Sequence, residues 1–346
     1  MPTGPEISVI VGAYSRETYL HLAVRSLLAQ TIPRDRFEIV VVKNFRSPEA
    51  DRELAAAGAT VLFDEGQRIG RWLRHAIRAS RAPIVTFLDD DDEFEPDRLE
   101  RVLEVFRQHA DLGYYRNRVR VIDSEGRSVP EDLWRYNEKD PALDQTGPVY
   151  LPREGKADLL DLATKRTRAT FGSSTMALRR ELLDGELGDE FERTQLPDLF
   201  QLLLAAVLPY GIYFDDRRLT RFRRYAGNVT RSAWWLGYAA ESERDMAAIA
   251  KRFGHPEFSQ WLASRAVNHE RLFRGGTLVA QVGNGAGRRD VARLTAEYLR
   301  FLGRHPEERA WTLDTWAAVV YGLSDLLVPT LVSGIARARM AARGVA

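Results

Sequence analysis

The stretch APIVTFLDDDDEFEP, residues 82–96, constrains this chain more than any other. Ile84, Val85, Phe87 and Leu88 have the apolar density of a short buried strand, and four carboxylates, Asp89, Asp90, Asp91 and Asp92, follow at its carboxyl end. Adjacent like charges at the edge of an apolar strand raise one another's pKa unless a cation sits among them. Oxygen ligands with no Cys or His beside them suit a hard ion such as Mg2+ or Mn2+. The competing reading is that residues 89–95 are acids placed ahead of a helix starting near Pro96, where the helix dipole favours negative charge. Open α/β sheets bind ligands over the carboxyl ends of their strands, so an ion here would lie at the ligand site.

The flanking sequence supplies such a sheet. Ile7–Val11 reads as a strand that breaks at Gly12, with Ser15 capping a helix from about Glu17 to Ala29. Phe37–Val42 is a second strand, residues 48–57 a helix ended by Gly58, and Thr60–Phe63 a third strand. Ile69, Leu73, Ala76 and Ile77 set a helix over 68–80, which leads into the strand ending at Asp89. Four strand-then-helix units in succession predict an α/β fold with a doubly wound, mostly parallel sheet. The ligand then belongs near Gly12, Lys43 and Asp89. The first loop reads VGAYSRE, which is neither a GxGxxG dinucleotide loop nor a phosphate-binding Walker loop.

Composition narrows the function classes. A net charge of +1 argues against a dedicated nucleic-acid binder, and the absence of cysteine removes disulfides, thiolate nucleophiles and Cys-based zinc sites. The six histidines show no metal-ligand spacing. The first residues, MPTGPEIS, lack the basic and apolar regions of a secretion signal, which places the chain in the cytoplasm, with contact at the membrane face left open.

ISVIVGAYSRETYLHLAVRSLLAQT, with Gln30 and Thr31 closing its helix, resembles the opening of family 2 glycosyltransferases of the GT-A fold. FLDDDDEFEPDRLE is similar to that family's DXD motif with its downstream Pro and Leu, here Pro96 and Leu99, and Gly70–Ala82 resembles the helix before the DXD strand. The resemblance implies a nucleotide held by the backbone around Gly12, Ala13 and Tyr14. It also implies Asp89 and Asp91 as outer DXD members, Asp91 on Mn2+ or Mg2+ and Asp89 shared between ribose and metal, with Asp90 in the middle. Where the family carries an Asp that reads the base, this chain has Lys43 and Asn44. A lysine cannot accept a base imino proton, so Asn44 as acceptor or Lys43 as donor to a base carbonyl are the options, against a Lys43 that only covers the sheet edge.

Beyond a strand at Leu112–Ile122, residues 123–156 are polar, rich in Pro and Gly, and long for a connection. This is either a mobile substrate-covering segment or an insertion, with Trp134, Tyr136 and Tyr150 as aromatics for acceptor contact or for a small satellite core. Thr170–Leu178 reads as a strand similar to the family's acceptor-side strand, with a helix following from Arg179. Pro197 then opens an apolar helix, and Asp198 beside its N-terminus is assigned as the base that takes the acceptor proton in an inverting transfer. Asp189, Glu190 and Glu192 are alternatives, and a plain helix-start acid is the simpler reading. Arg217, Arg218, Arg221, Arg223 and Arg224 form a cluster that resembles the family's closing Arg-x-His-x-x-Asn motif at Arg223 and Asn228, with Tyr225 at the His position. It reads either as a diphosphate or phospholipid site, with Arg223 and Tyr225 on the donor, or as a solvated strand edge.

From about residue 235 the pattern is helical, broken at Gly254–Pro256 and jointed at Gly275–Gly287. Residues 316–336 are nearly long enough to span a bilayer but contain Asp325, which costs about 3 kcal/mol mid-span. An interfacial helix pair at about 313–343 and a helix packed on protein are both compatible with the apolar arc. The expected organisation is a GT-A catalytic domain at 1–232, with a nucleotide half at 1–110 and an acceptor half at 111–232, and a C-terminal helical extension at 233–346. The expected activity is metal-dependent, inverting transfer from a nucleotide-diphosphate sugar, GDP-mannose first and UDP-sugars next, to an acceptor hydroxyl of a sugar or lipid-linked glycan. Alternatives are an inactive nucleotide-sugar-binding subunit or a membrane-surface scaffold.

Overall fold

A computed structural model describes residues 4–14, 17–66, 68–130, 147–155, 172–225, 233–284, 287–305 and 319. They divide into two compact units, 1–228 with 249–258, and 229–248 with 259–346.

In the first unit the element order is β1 (Ile7–Ala13), α1 (Leu20–Leu28), β2 (Phe37–Lys43), α2 (Pro48–Ala56), β3 (Thr60–Phe63), α3 (Ile69–Ala79) and β4 (Ile84–Asp89). It continues through β5 (Glu93–Phe94), α4 (Arg98–Gln108), β6 (Leu112–Ile122), β7 (Val149–Leu151) and β8 (Met176–Arg179). The last elements are α5 (Gly185–Phe191), α6 (Pro197–Val207) and β9 (Gly211–Arg223). The strands form one sheet in the order β3-β2-β1-β4-β8-β6-β9-β5, with β7 on β9. β1, β2, β3 and β4 are mutually parallel; the apolar runs of β1, β2 and β4 are buried on both faces and suit crossover connections, and β3 is the part-exposed edge. β8 departs from that pattern and lies antiparallel between β4 and β6.

Four local expectations change. β1 does not break at Gly12, which pairs on both sides with Val42 and Asp89, and pairing with β2 carries the strand on to Ala13, opposite Lys43. α1 starts only at Leu20, and Ser15, its expected cap, lies outside the described residues. Of the strand expected over Thr170–Leu178, Thr170 and Phe171 lie outside the described residues, and the rest holds a 3-10 turn at Ser173–Thr175 followed by the shorter β8, which runs on to Arg179. A further 3-10 turn and α5 stand where one helix was expected from Arg179.

Gln30 and Thr31 tie α1 to the far side of the acidic loop. The Gln30 side chain donates to Glu95 O at 2.9 Å and accepts from Leu99 N at 2.9 Å, and Thr31 N donates to Pro96 O at 2.9 Å. One side-chain amide thus satisfies an orphan N–H at the start of α4 and a loop carbonyl together. Tyr150 packs against the core, as its satellite-core reading has it. Its hydroxyl bonds Asp111 and its ring lies 4.0 Å from that of His109, pinning β7. Trp134 and Tyr136 lie outside the described residues.

The second unit takes in most of the helices α7 (Ala233–Arg252) and α8 (Pro256–Gly283) and all of α9 (Arg288–Arg304), and its cluster joins Leu278, Val279 and Val282 of α8, Val291, Tyr298, Phe301 and Leu302 of α9, and Val319. The break at 254–256 is present, with Gly254 in the left-handed region at φ +83°. The joint expected at Gly275–Gly287 is instead helix through Gly283. A helical glycine costs about 1 kcal/mol, and the packing of Leu278, Val279 and Val282 outweighs it. Among the described residues no helix is long and apolar enough to cross a membrane, and the 313–343 stretch, Val319 apart, lies outside them.

A buried ion pair locks α4 to β9. Asp215 is 1 % exposed and accepts from Arg101 Nε at 2.7 Å, the Tyr115 hydroxyl at 3.1 Å and Arg217 N at 3.1 Å. Removing the Asp215 carboxylate takes the acceptor from the Tyr115 hydroxyl, the Arg217 amide and Arg101 Nε together, while Glu104 still pairs with Arg101, so Asp215→Ala is expected to cost about 3 kcal/mol in urea denaturation. A loss under 1 kcal/mol, the range of exposed pairs, would contradict this placement.

Candidate active site

The chain reverses directly after β4. Asp92 N donates to Asp89 O at 3.1 Å, closing a four-residue turn. That turn sorts the acidic run. Its first, third and fourth carboxylates converge, with oxygens of Asp89, Asp91 and Asp92 all within 4.8 Å of one another, while Asp90 stays outside the group and is buried at 3 % exposure. Asp92, which the motif resemblance passes over, is therefore the third member. The only signal for it is the length of the Asp run, because positions one, three and four of a tight turn share a side.

Burial first, then the charges of Asp91 and Asp89, push the Asp92 carboxyl well above the usual carboxylate range, and hydrogen bonds from the Ser174 hydroxyl and Arg223 amide oppose this. Asp92 Oδ1 accepts from Arg223 N at 2.9 Å, whereas its buried Oδ2 has no hydrogen-bond donor. A buried carboxylate oxygen without a donor is costly, and a cation satisfies it. Three convergent carboxylates with no nitrogen or sulfur donor fit Mg2+ or Mn2+ by their chemistry.

The turn is held from behind. Arg223 is fully buried, and each guanidinium nitrogen is engaged by protein. Nε donates to Asp91 O at 3.0 Å, Nη1 to Asp123 O at 3.1 Å and Ser124 O at 3.2 Å, and Nη2 pairs with Glu93. Its carbon lies 4.5 Å from the centroid of the Tyr19 ring. The expectation that Arg223 grips the donor diphosphate does not suit these surroundings, because an arginine has donors only and these are taken. Nor is β9 a solvated edge: it lies between β6 and β5, and Arg221 also pairs with Glu93, at 2.8 Å. Tyr225 does meet the acidic turn, its hydroxyl donating to Asp91 Oδ2 at 3.0 Å. Asn228 lies outside the described residues.

On the other flank, Gly12 and Ala13 end β1 beside Asp89, and the Tyr14 ring stacks on Trp72 at 4.5 Å. Lys43 turns away toward α2. Its ammonium pairs with Asp51 at 2.8 Å, donates to Phe45 O at 2.7 Å and is 4 % exposed, leaving half-buried Asn44 as the next residue on that rim.

Asp198 lies in the first turn of α6, half-buried, and its carboxylate accepts from Leu199 N at 2.9 Å and from Gly172 N at 3.3 Å. Gly172, at φ +74°, opens the short turn whose Ser174 hydroxyl accepts from Asp89 N at 3.0 Å. A single turn of four residues therefore touches both Asp198 and the acidic run. The alternative acids are engaged elsewhere, Asp189 and Glu192 by Arg78 and Glu190 by Arg193.

Known proteins share this architecture. TarS residues 1–349 from S. aureus, in complex with UDP-GlcNAc, superposes with a TM-score of 0.59 at 15 % identity over 98 % of this chain and 92 % of that one. The mannosyltransferase PcManGT from Pyrobaculum calidifontis, in complex with GDP-Man and Mn2+, superposes with a TM-score of 0.50 at 16 % identity over 97 % of this chain and 88 % of that one. At these identities the likeness is one of fold. In sequence, the putative glycosyltransferase EpsH of Bacillus subtilis is 29 % identical over 143 residues, 40 % of each chain. An uncharacterised glycosyltransferase of Nostoc is 30 % identical over 132 residues, 36 % of this chain and 40 % of that protein. The match thus spans about 40 % of the length of these curated relatives. The family description "Glycosyl transferase family 2" matches residues 8–185, just over half of the chain and inclusive of the acidic turn and Ser174, and on that match the chain belongs to glycosyl transferase family 2.

Proposed function

We propose that this chain transfers a sugar, with inversion, from a nucleotide-diphosphate sugar to an acceptor hydroxyl, with a divalent cation at Asp89, Asp91 and Asp92 and Asp198 as the base. The observation that carries the reading is the turn that gathers three carboxylates at the end of a parallel sheet, one with a buried oxygen lacking a donor. Residues 1–232 form the catalytic part and 233–346 a helical extension.

When bound, the cation supplies charge neutralisation to the departing diphosphate. The protein groups do the rest. The β1 terminus at Gly12, Ala13 and Tyr14 flanks the nucleoside, and the Tyr225 hydroxyl, already on Asp91, orients that carboxylate. Asp198, fixed by Gly172 N and Leu199 N, takes the proton of the acceptor hydroxyl as its oxygen attacks the anomeric carbon opposite the diphosphate. Two fold neighbours were solved with UDP-GlcNAc and with GDP-Man, so both bases belong in the first donor panel, GDP-mannose leading. The acceptor class is a sugar or lipid-linked glycan hydroxyl.

Two measurements test this. In a thermal-shift panel of nucleotide sugars, one donor is expected to stabilise the protein only with Mn2+ or Mg2+ present, by about 2.7 kcal/mol at a hundredfold excess over Kd. Asp91→Ala is expected to lose that shift, and retention of the full shift would remove the cation from this turn. Asp198→Asn is expected to keep donor binding while transfer falls about 10³-fold, the scale of a lost general base. Transfer within a few-fold of wild type would move the base elsewhere.

A further inference from the structure

We propose that a buried polar chain, Arg98–Asn117–Thr220–Ser174, positions the acidic turn, so that residues inside the sheet act on the cation site through Ser174. The inference rests on the reading of that turn as a divalent-cation site.

Arg98 comes from α4, Asn117 from β6, Thr220 from β9 and Ser174 from the 3-10 turn before β8, with Thr86 of β4 alongside, and each of these side chains is at most 1 % exposed. Arg98, at the start of α4, donates from Nε to Asn117 Oδ1 at 3.0 Å and from Nη1 to Thr86 Oγ1 at 2.9 Å. Asn117 Nδ2 donates to Thr220 Oγ1 at 3.0 Å, and Thr220 Oγ1 donates to Ser174 O at 3.0 Å. Thr86 Oγ1 donates in parallel to Met176 O at 2.7 Å. Ser174 Oγ in turn accepts from Asp89 N at 3.0 Å and bonds the Asp92 carboxylate.

The direction of the chain is not free. A guanidinium only donates, so Arg98 demands the oxygen of Asn117 and the lone pair of Thr86. With its oxygen engaged, Asn117 presents NH2 to Thr220, whose hydroxyl must then donate its own proton onward to Ser174 O. Thr86 is committed to Met176 O by the same logic. Two carbonyls on either side of Thr175 are thereby gripped from inside the sheet, while the Ser174 hydroxyl between them holds the first and fourth residues of the acidic turn. Burial lowers the Arg98 guanidinium to about 9, so it stays protonated at neutral pH and the polarity of the chain persists. Partners that orient metal ligands in this way act on affinity although they touch no metal.

The test is Mn2+ titration of the full chain followed by electron paramagnetic resonance, without donor. Thr220→Val removes the hydroxyl at constant shape and is expected to weaken Mn2+ binding about tenfold. Thr220→Ser, which retains the hydroxyl, is expected to restore it. In a Ser174→Ala background, which cuts the chain at its end, Thr220→Val is expected to add no further loss. Equal Mn2+ affinity in wild type and folded Thr220→Val overturns the inference and leaves the proposed function standing, as does a lower thermal midpoint with unchanged affinity. If Thr220→Val does not fold, Ser174→Ala alone decides, and unchanged affinity in that variant overturns the inference. A wild-type chain that binds no Mn2+ removes the cation reading of the turn, and this inference falls with it.

Discussion

Crowding of negative charge at the end of β4 is the constraint around which the rest is arranged. Three carboxylates with oxygens inside 4.8 Å, when ionised, repel by about 3.5 kcal/mol or more per pair at an effective dielectric near 20. A protein can relieve such repulsion by salt-bridging the acids directly. This one does not. Arg223 reaches the turn through the Asp91 carbonyl and pairs its charge with Glu93, and its backbone amide, not its guanidinium, meets Asp92. Arg223 thus holds the turn by its backbone, and the carboxylate oxygens that converge there form a group whose mutual repulsion a divalent cation relieves.

That arrangement accounts for what was legible in the sequence. β2 and β4 could be read to within a residue because strands covered on both faces leave apolar runs between turn signals, β3 because Gly58 ends the helix ahead of its short apolar run, and the 69–79 helix because its apolar residues share one face. The antiparallel seat of β8 was not legible, since four residues reading MALR carry no sign of the direction in which they pair. Gly12 misled for a related reason. Glycine often ends a strand, but here neighbours on both sides continue the ladder through it.

Among the site residues, Asp89 and Asp91 followed from the motif, and Asp92 required the turn itself. Arg223 and Lys43 show the limit most clearly. An arginine alternating along a strand reads the same whether it faces solvent or the protein interior, and only the closure of β9 between β6 and β5 turns Arg223 inward. Lys43 reads as a residue at a ligand-facing strand end until Asp51, eight residues on in α2, is seen to take its ammonium. Long side chains choose among partners that the local sequence does not specify.

The buried polar chain explains how so short a strand as β8 keeps its place. It pairs over three residues with β4 and three with β6, and its apolar run has no alternation that would penalise a slip. A one-residue shift would reverse its faces, yet Met176, Ala177 and Leu178 are all fully buried and apolar, so the hydrophobic effect discriminates weakly between registers. Directional bonds do not. Thr86 to Met176 O and Thr220 to Ser174 O are both lost on a shift of one residue, leaving hydroxyls and carbonyls unsatisfied inside the sheet at about 1–3 kcal/mol each. The polar core is therefore not a defect in an apolar sheet. It sets the register of the segment that joins the acidic turn to Asp198, where an apolar core of the same volume would allow that segment to slide.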